Sequence, residues 1–107
     1  MDDGATPPRI VLFASQDLED IYAYTSHLWG TAQAEAYAQF LLSVVQDAAD
    51  NPYHSRPVQE LQGVRSIFAK WRKARHGHHL IFELREEGIY VLRVLHAARD
   101  WPALIGE

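Results

Sequence analysis

The first half of the chain contains one strand-like segment followed by two segments with helical periodicity. Residues 9–13 end in the apolar run Ile-Val-Leu-Phe, which is typical of a β-strand. After Ser15, which is expected to cap a helix, apolar residues recur at intervals of three or four. Gly30 is expected to end this helix in a left-handed conformation, and Thr31 to cap a second helix that ends at Asn51-Pro52. So short a link predicts an antiparallel helical hairpin.

The second half contains three strand-like segments after a polar loop at 52–63. The segments 64–71 and 78–84 alternate between two faces, as strands do, and 89–96 is apolar almost throughout, as in an inner strand. Between the last two, Glu86-Glu87-Gly88 suits a tight turn. The order β-α-α-β-β-β predicts an α+β fold, with the helical hairpin packed on a small, mainly antiparallel sheet. The pattern leaves open how the first strand joins that sheet.

Length and composition are those of one small domain. With 107 residues, 48% of them hydrophobic, we expect a flexible start at 1–8 and a single domain over 9–107. The first residues lack the apolar core of a secretory signal, and no apolar run is long enough to span a membrane. The chain has no cysteine, which fits a reducing compartment. A cytoplasmic location is therefore expected.

Charge divides unevenly between the two halves. Residues 1–55 hold eight acidic residues and one basic residue, whereas 56–107 hold nine basic and six acidic residues. Five cations and a tryptophan of the second half lie close together in the sequence: Arg65, Lys70, Trp71, Arg72, Lys73 and Arg75. Such a cluster can pair with phosphates and stack a base, or bind an acidic peptide. A solvated hairpin edge, kept from aggregating by its charges, is the structural alternative.

Histidines form the second group with possible chemistry. His76, His78 and His79 lie within four residues, but neighbouring strand residues point to opposite faces, and no carboxylate pair completes a ligand set. No metal or other cofactor is therefore expected; one or two of these histidines should form hydrogen bonds at the hairpin. His96 follows Arg93 by three residues and could act as a general acid or base in RNA cleavage. A satisfied histidine at a strand end is the alternative.

Several short motifs occur in an order known from one toxin family. Trp29-Gly30, Ala34 and Tyr37 match a Trp-Gly-x-x-x-Ala pattern with a tyrosine soon after it. Later in the chain come Gly77-His78 and the run Val-Leu-Arg-Val-Leu-His over 91–96. Over about residues 9–105 the chain resembles the ParE branch of the ParE/RelE superfamily. The resemblance implies the same β-α-α-β-β-β fold.

The resemblance also implies a function, which is that of the toxin in a type II toxin–antitoxin system. A cognate ribbon-helix-helix antitoxin of the ParD type would neutralise it. ParE relatives with an assigned target inhibit DNA gyrase, so we expect a binding-type toxin and not an enzyme. The alternatives are a ribosome-dependent mRNA endoribonuclease of the RelE type and a family member that only pairs with its antitoxin. No membrane partner is expected, and nucleic acid only through the antitoxin complex or in the nuclease alternative.

Three sets of candidate residues follow from these expectations. The candidates for target binding are Lys70, Trp71, Arg72, Arg75, Arg93 and His96. The candidates for antitoxin binding are Tyr24, Trp29, Tyr37, Arg65 and Arg72. A nuclease would use His96, Arg93, Arg65 and Arg75. The late tyrosine of RelE-type nucleases is missing, because Ala97 follows His96 and no tyrosine comes after Tyr90. This departure favours binding over catalysis.

Overall fold

The computed structural model describes residues 7–71 and 77–97, and within them two helices pack on one face of a five-stranded sheet. The elements run β1 (Arg9–Leu12), α1 (Ser15–Trp29), α2 (Thr31–Asp50), a 3-10 helix (Pro52–His54), β2 (Arg56–Pro57), β3 (Val64–Ala69), β4 (His78–Arg85) and β5 (Gly88–His96). The α+β class and the helical hairpin are thus confirmed. Neither helix in the described residues is long and apolar enough to cross a membrane.

Strand β1 occupies one edge of the sheet, whose order is β1-β5-β4-β3-β2. It runs parallel to β5, whereas the other neighbours are antiparallel. A parallel pair needs a long connection, and here all the elements from α1 to β4 lie between the two strands in the chain. The close pairing depends on Gly88, because a Cβ atom there would lie 1.9 Å from the carbonyl oxygen of Arg9.

The core lies between the helices and the central strands. Phe82, Ile89 and Val91 are fully buried against Leu41 and Val45 of α2. The opposite face of the sheet has a smaller core of Val64, Ile81 and Leu95, which the loop residues Val58 and Leu61 cover. Strand β5 contributes to both cores, as its continuous apolar pattern predicted.

The two predicted N-terminal helix caps, Ser15 and Thr31, are wrong. Ala14, not Ser15, precedes α1, and no side chain in the described residues caps either helix. Ala14 is buried where the chain turns from β1 into α1, so the helix begins before a capping side chain is available. Gly30 ends α1 and also precedes α2, which makes Thr31 a helical residue. Gly30 ends α1 with a positive φ of 93°, as expected, but its ψ of 163° lies outside the left-handed helical region, in a conformation that is essentially restricted to glycine.

The segment 52–63 is more structured than the polar loop that its composition predicted. It contains the 3-10 helix and β2, whose two residues pair with β3. So short a strand, containing a proline, leaves no periodic pattern to detect. Strand β3 ends at Ala69, two residues before the end predicted from the alternation.

Candidate functional site

A cluster of aromatic and imidazole rings forms around Tyr37 and its hydrogen-bond partner His78, where α2 meets the start of β4 and the end of β5. The phenol oxygen of Tyr37 lies 2.6 Å from Nδ1 of His78. The ring of Trp71 lies 5.6 Å from that of Tyr37 and 6.3 Å from that of Phe40. The ring of His96 meets that of His78 edge-on, with 5.4 Å between centroids. We call these five residues the tyrosine–histidine cluster.

Burial sets the protonation of this cluster. It raises the pKa of Tyr37 to about 12 and lowers the pKa of His78 to about 4, with smaller contributions to His78 from His96 and His79. Both partners of the short hydrogen bond are therefore neutral at neutral pH. The bond confirms that one hairpin histidine is satisfied within the fold. A neutral, buried pair suits positioning of the strand ends better than proton transfer.

Arg93 is held by a carboxylate from the first turn of α1. Its Nε and Nη2 donate to the two oxygens of Asp17 at 2.7 and 3.0 Å, and one of these oxygens also accepts the backbone N–H of Val94 at 3.0 Å. The site coincides with a bulge in β5, because Ile81 pairs with Arg93 whereas Phe82 pairs with Val91. The ion pair raises the pKa of Arg93, which stays charged.

Arg65 is held by the segment that follows α2. Its Nε donates to the hydroxyl of Ser55 at 2.6 Å, and its Nη2 donates to the Ser55 carbonyl at 2.9 Å. The guanidinium also lies 5.0 Å from the ring centre of Tyr53, within cation–π range. Both guanidinium groups, Arg65 and Arg93, are therefore held in place by contacts within the fold.

The structure brings together some sequence candidates and leaves others apart. Tyr37, Trp71 and His96 meet in the tyrosine–histidine cluster, and exposed Lys70 is next to Trp71 in the chain. Tyr37 is buried, so it is not on the outer surface of the hairpin. Arg72 and Arg75 lie outside the described residues. Among residues 7–71 and 77–97, no three His, Asp or Glu side chains are grouped to hold a metal ion.

The outer side of the helical hairpin has a large apolar surface. Within α1, which the structure describes in full, no residue is fully buried. Tyr24 and Trp29 are 67% and 66% exposed. A cleft of about 70 Å³ runs between the helices, lined by Leu18, Ile21, Tyr22, Ala34, Ala38, Leu41 and Leu42. Ala34 and Leu41 of this lining are buried. We call the other lining residues, with Tyr24, Leu28 and Trp29, the hairpin surface.

Sequence reasoning found part of the hairpin surface. Tyr24 was singled out because it falls off the inward stripe of α1, but Leu28 and Leu42, each 48% exposed, were not. Leu28 precedes Trp29 and Leu42 follows Leu41, so the apolar arc is wider than one inward face requires. The width of this apolar arc was the feature of the sequence that could have indicated an exposed apolar surface.

Comparison with known proteins assigns this chain to one protein family. The family model described as ParE toxin of type II toxin-antitoxin system, parDE, matches residues 13–101. The chain therefore belongs to the ParE toxin family.

Relatives and a solved structure agree with this assignment. Toxin ParE1 of Caulobacter vibrioides is 30% identical over 100 residues, covering 94% of this chain and 98% of that protein. Toxin ParE1 of Mycobacterium tuberculosis is 36% identical over 89 residues, covering 81% of this chain and 85% of its own. The structure titled "Chromosomal ParDE TA system from P. aeruginosa" superposes with a TM-score of 0.70 at 22% identity, covering 84% of this chain and 96% of the other. This superposition supports the assignment of the fold.

Proposed function

We propose that this ParE-family toxin is neutralised by a cognate antitoxin of the ParD type that covers the hairpin surface, and that the uncomplexed toxin inhibits DNA gyrase by binding. The observation that carries the antitoxin proposal is the exposed apolar area of the hairpin. Exposed aromatic and aliphatic side chains beside an apolar cleft are typical of protein interfaces. Tyr24 and Trp29, both antitoxin candidates from the sequence, lie on this surface.

Charge on the hairpin indicates the chemistry of the segment that binds there. Residues 15–50 contain six acidic residues and no lysine or arginine. Glu19 lies one helical turn before Tyr22, and Glu35 one turn before Ala38, so acidic side chains flank the cleft. A matching partner is an amphipathic segment that places apolar side chains in the cleft and lysine or arginine at its rim. Such a segment can be disordered alone and fold on binding.

Two variants of α2 test this proposal with the same change in charge. Leu42→Glu puts a carboxylate on the cleft, whereas Gln39→Glu puts one on an exposed position of the same helix that does not line it. Calorimetric titration with the cognate antitoxin should show affinity at least about 30-fold weaker for Leu42→Glu, the loss of one interface hot spot. Gln39→Glu should bind nearly as the wild type does. Equal affinities for both variants would remove the cleft from the interface.

Gyrase is the target that the family resemblance implies, and the fold supports action by binding. The side chains of Arg93 and Arg65 are engaged within the chain, and the tyrosine–histidine cluster is built around a neutral hydrogen bond. The remaining described candidates for target binding lie apart from the hairpin surface. They are Trp71 and His96, which belong to that cluster, and exposed Lys70. None of these features requires a chemical step.

A pair of assays separates binding from catalysis. Purified toxin is added to gyrase with relaxed plasmid, and separately to a translating ribosome system whose mRNA is followed on a gel. Blocked supercoiling with intact mRNA is the expected result. Normal supercoiling at saturating toxin would exclude gyrase as the target. Cleaved mRNA that becomes intact with His96→Ala would instead establish the nuclease alternative.

A further inference from the structure

One aromatic ring on the outer face of the sheet has no role in either core. Phe68 of β3 is 49% exposed, on the strand face opposite Ile67 and Ala69, which pack under the helices. Its register partner on β4 is His79, and the two ring centroids are 5.1 Å apart. The loop that covers Val64 and Ile81 on this face therefore leaves the Phe68 ring open to solvent.

The part of the chain around this ring pair is cationic. Residues 61–82, which span β3, β4 and their connection as far as the middle of β4, contain five lysines and arginines and no aspartate or glutamate. Lys70, two residues after Phe68, is exposed. The opposite end of the β4–β5 hairpin carries Glu83, Glu86 and Glu87. A polyanion would be attracted to Lys70, the described cation closest in sequence to the exposed ring.

We propose that Phe68 and His79 form a stacking platform for unpaired bases of single-stranded nucleic acid, with Lys70 contacting the adjacent phosphate. An exposed aromatic ring on a flat strand surface can stack any base, because every base has a π face. Burial lowers the pKa of His79, so its ring is neutral and suited to stacking. An acidic peptide would use the cations but would gain little from the exposed ring, which is why nucleic acid is favoured.

This proposal goes beyond inhibition of gyrase and beyond antitoxin binding. It requires no catalysis and uses none of the hairpin surface. DNA and RNA share the chemistry that the platform recognises, so the experiment compares both. A ParE toxin with this platform could contact an unpaired strand exposed by its target as well as the target protein.

The test measures fluorescence anisotropy of labelled single strands of about 16 nucleotides, one DNA and one RNA, with the purified full chain. Phe68→Ala should weaken binding between about five-fold and about 150-fold, which corresponds to about 1–3 kcal/mol per stacked base. Phe68→Trp should retain binding. The matched control is Phe13→Ala, since Phe13 is also exposed but lies beside Tyr90, with ring centroids 5.8 Å apart, near the far edge of the sheet. It should leave the affinity unchanged.

Charge is tested separately from stacking. Lys70→Gln should lower the slope of log affinity against log salt by about 0.7, the value for one phosphate contact on a single strand. Absence of binding at low salt to both strands, or equal affinities for wild type and Phe68→Ala, would overturn the proposal. Displacement of the strand by poly-glutamate with no effect of Phe68→Ala would show a site for acidic protein instead. Phe68→Ala should bind antitoxin normally, so failure here leaves the antitoxin proposal standing.

Discussion

The carboxylate of Asp17 holds both the side chain of Arg93 and the backbone of the residue that follows it. Three hydrogen bonds of 2.7 to 3.0 Å join the first turn of α1 to the bulge in β5. The Asp17 side chain is only 14% exposed, so water replaces these bonds poorly. The contact therefore fixes the start of the helical hairpin on the sheet.

Removal of this carboxylate should destabilise the fold. Asp17→Ala leaves a partly buried guanidinium and a backbone N–H without their acceptor, and we expect a loss of about 2–4 kcal/mol in the free energy of unfolding. Urea denaturation measures it. The control is Glu83→Ala, which breaks the more exposed Arg85–Glu83 pair and should cost less than about 1 kcal/mol. Equal losses for both variants would contradict the role given to Asp17.

The free energy of unfolding should fall as the solution is acidified, because His78 is protonated more readily in the unfolded chain than in the fold. Its pKa is 6.5 in the unfolded chain and about 4 in the fold, so between these values the unfolded state binds more protons. The stability that neutral His78 contributes is complete above pH 6.5 and is lost as the pH falls to about 4. Allowing for solvent at this half-buried site, the loss is about 1–2 kcal/mol.

The comparison for this pH effect is His78→Gln, which cannot titrate. Urea denaturation of both proteins across pH 4 to 6.5 should give a shallower slope for the variant. An unchanged slope would show that His78 does not titrate differently in the fold. At the alkaline end, the raised pKa of Tyr37, about 12, predicts a further loss of stability between pH 10 and 12.

Pairing of β1 with β5 should fail when residue 88 gains a side chain. Gly88→Ala would place a methyl group against the Arg9 backbone, and separation of the strands should cost about 3 kcal/mol or more in the free energy of unfolding. Gly63→Ala is the control, because its nearest neighbour would be 3.8 Å away and only the strain of its φ of 81° remains, about 1 kcal/mol. Amide exchange of Arg9 and Phe13, whose backbone N–H groups donate to the carbonyls of Glu87 and Val91, reports on this pairing directly.

Local periodicity accounts for the parts of the fold that were predictable. The hairpin and the strands β3, β4 and β5 each repeat one pattern over several residues, and burial of one face enforces it. The place of β1 was not predictable, because it depends on the close approach that Gly88 allows. Strand β2 is too short to show a pattern, and the residues that precede the helices, Ala14 and Gly30, carry no capping side chain.

Residues of the site were recognisable singly but not as groups. Tyr37, Trp71 and His96 were each candidates, yet their grouping in one cluster, with Trp71 on Tyr37 and His96 on His78, depends on how α2 crosses the sheet. Arg93 was expected to face a target, and its partner Asp17 lies 76 residues earlier in the chain. Pattern reasoning cannot reveal a pairing over that separation.

Growth of cells that express the Leu42→Glu chain, with and without the cognate antitoxin, tests most directly whether the antitoxin acts at the hairpin surface. The wild type and Gln39→Glu should arrest growth alone and be rescued by the antitoxin. Leu42→Glu should arrest growth in both conditions, because the toxin still reaches its target but the antitoxin no longer covers the cleft. Full rescue of Leu42→Glu, or loss of its toxicity when expressed alone, would contradict separate surfaces for neutralisation and toxic action.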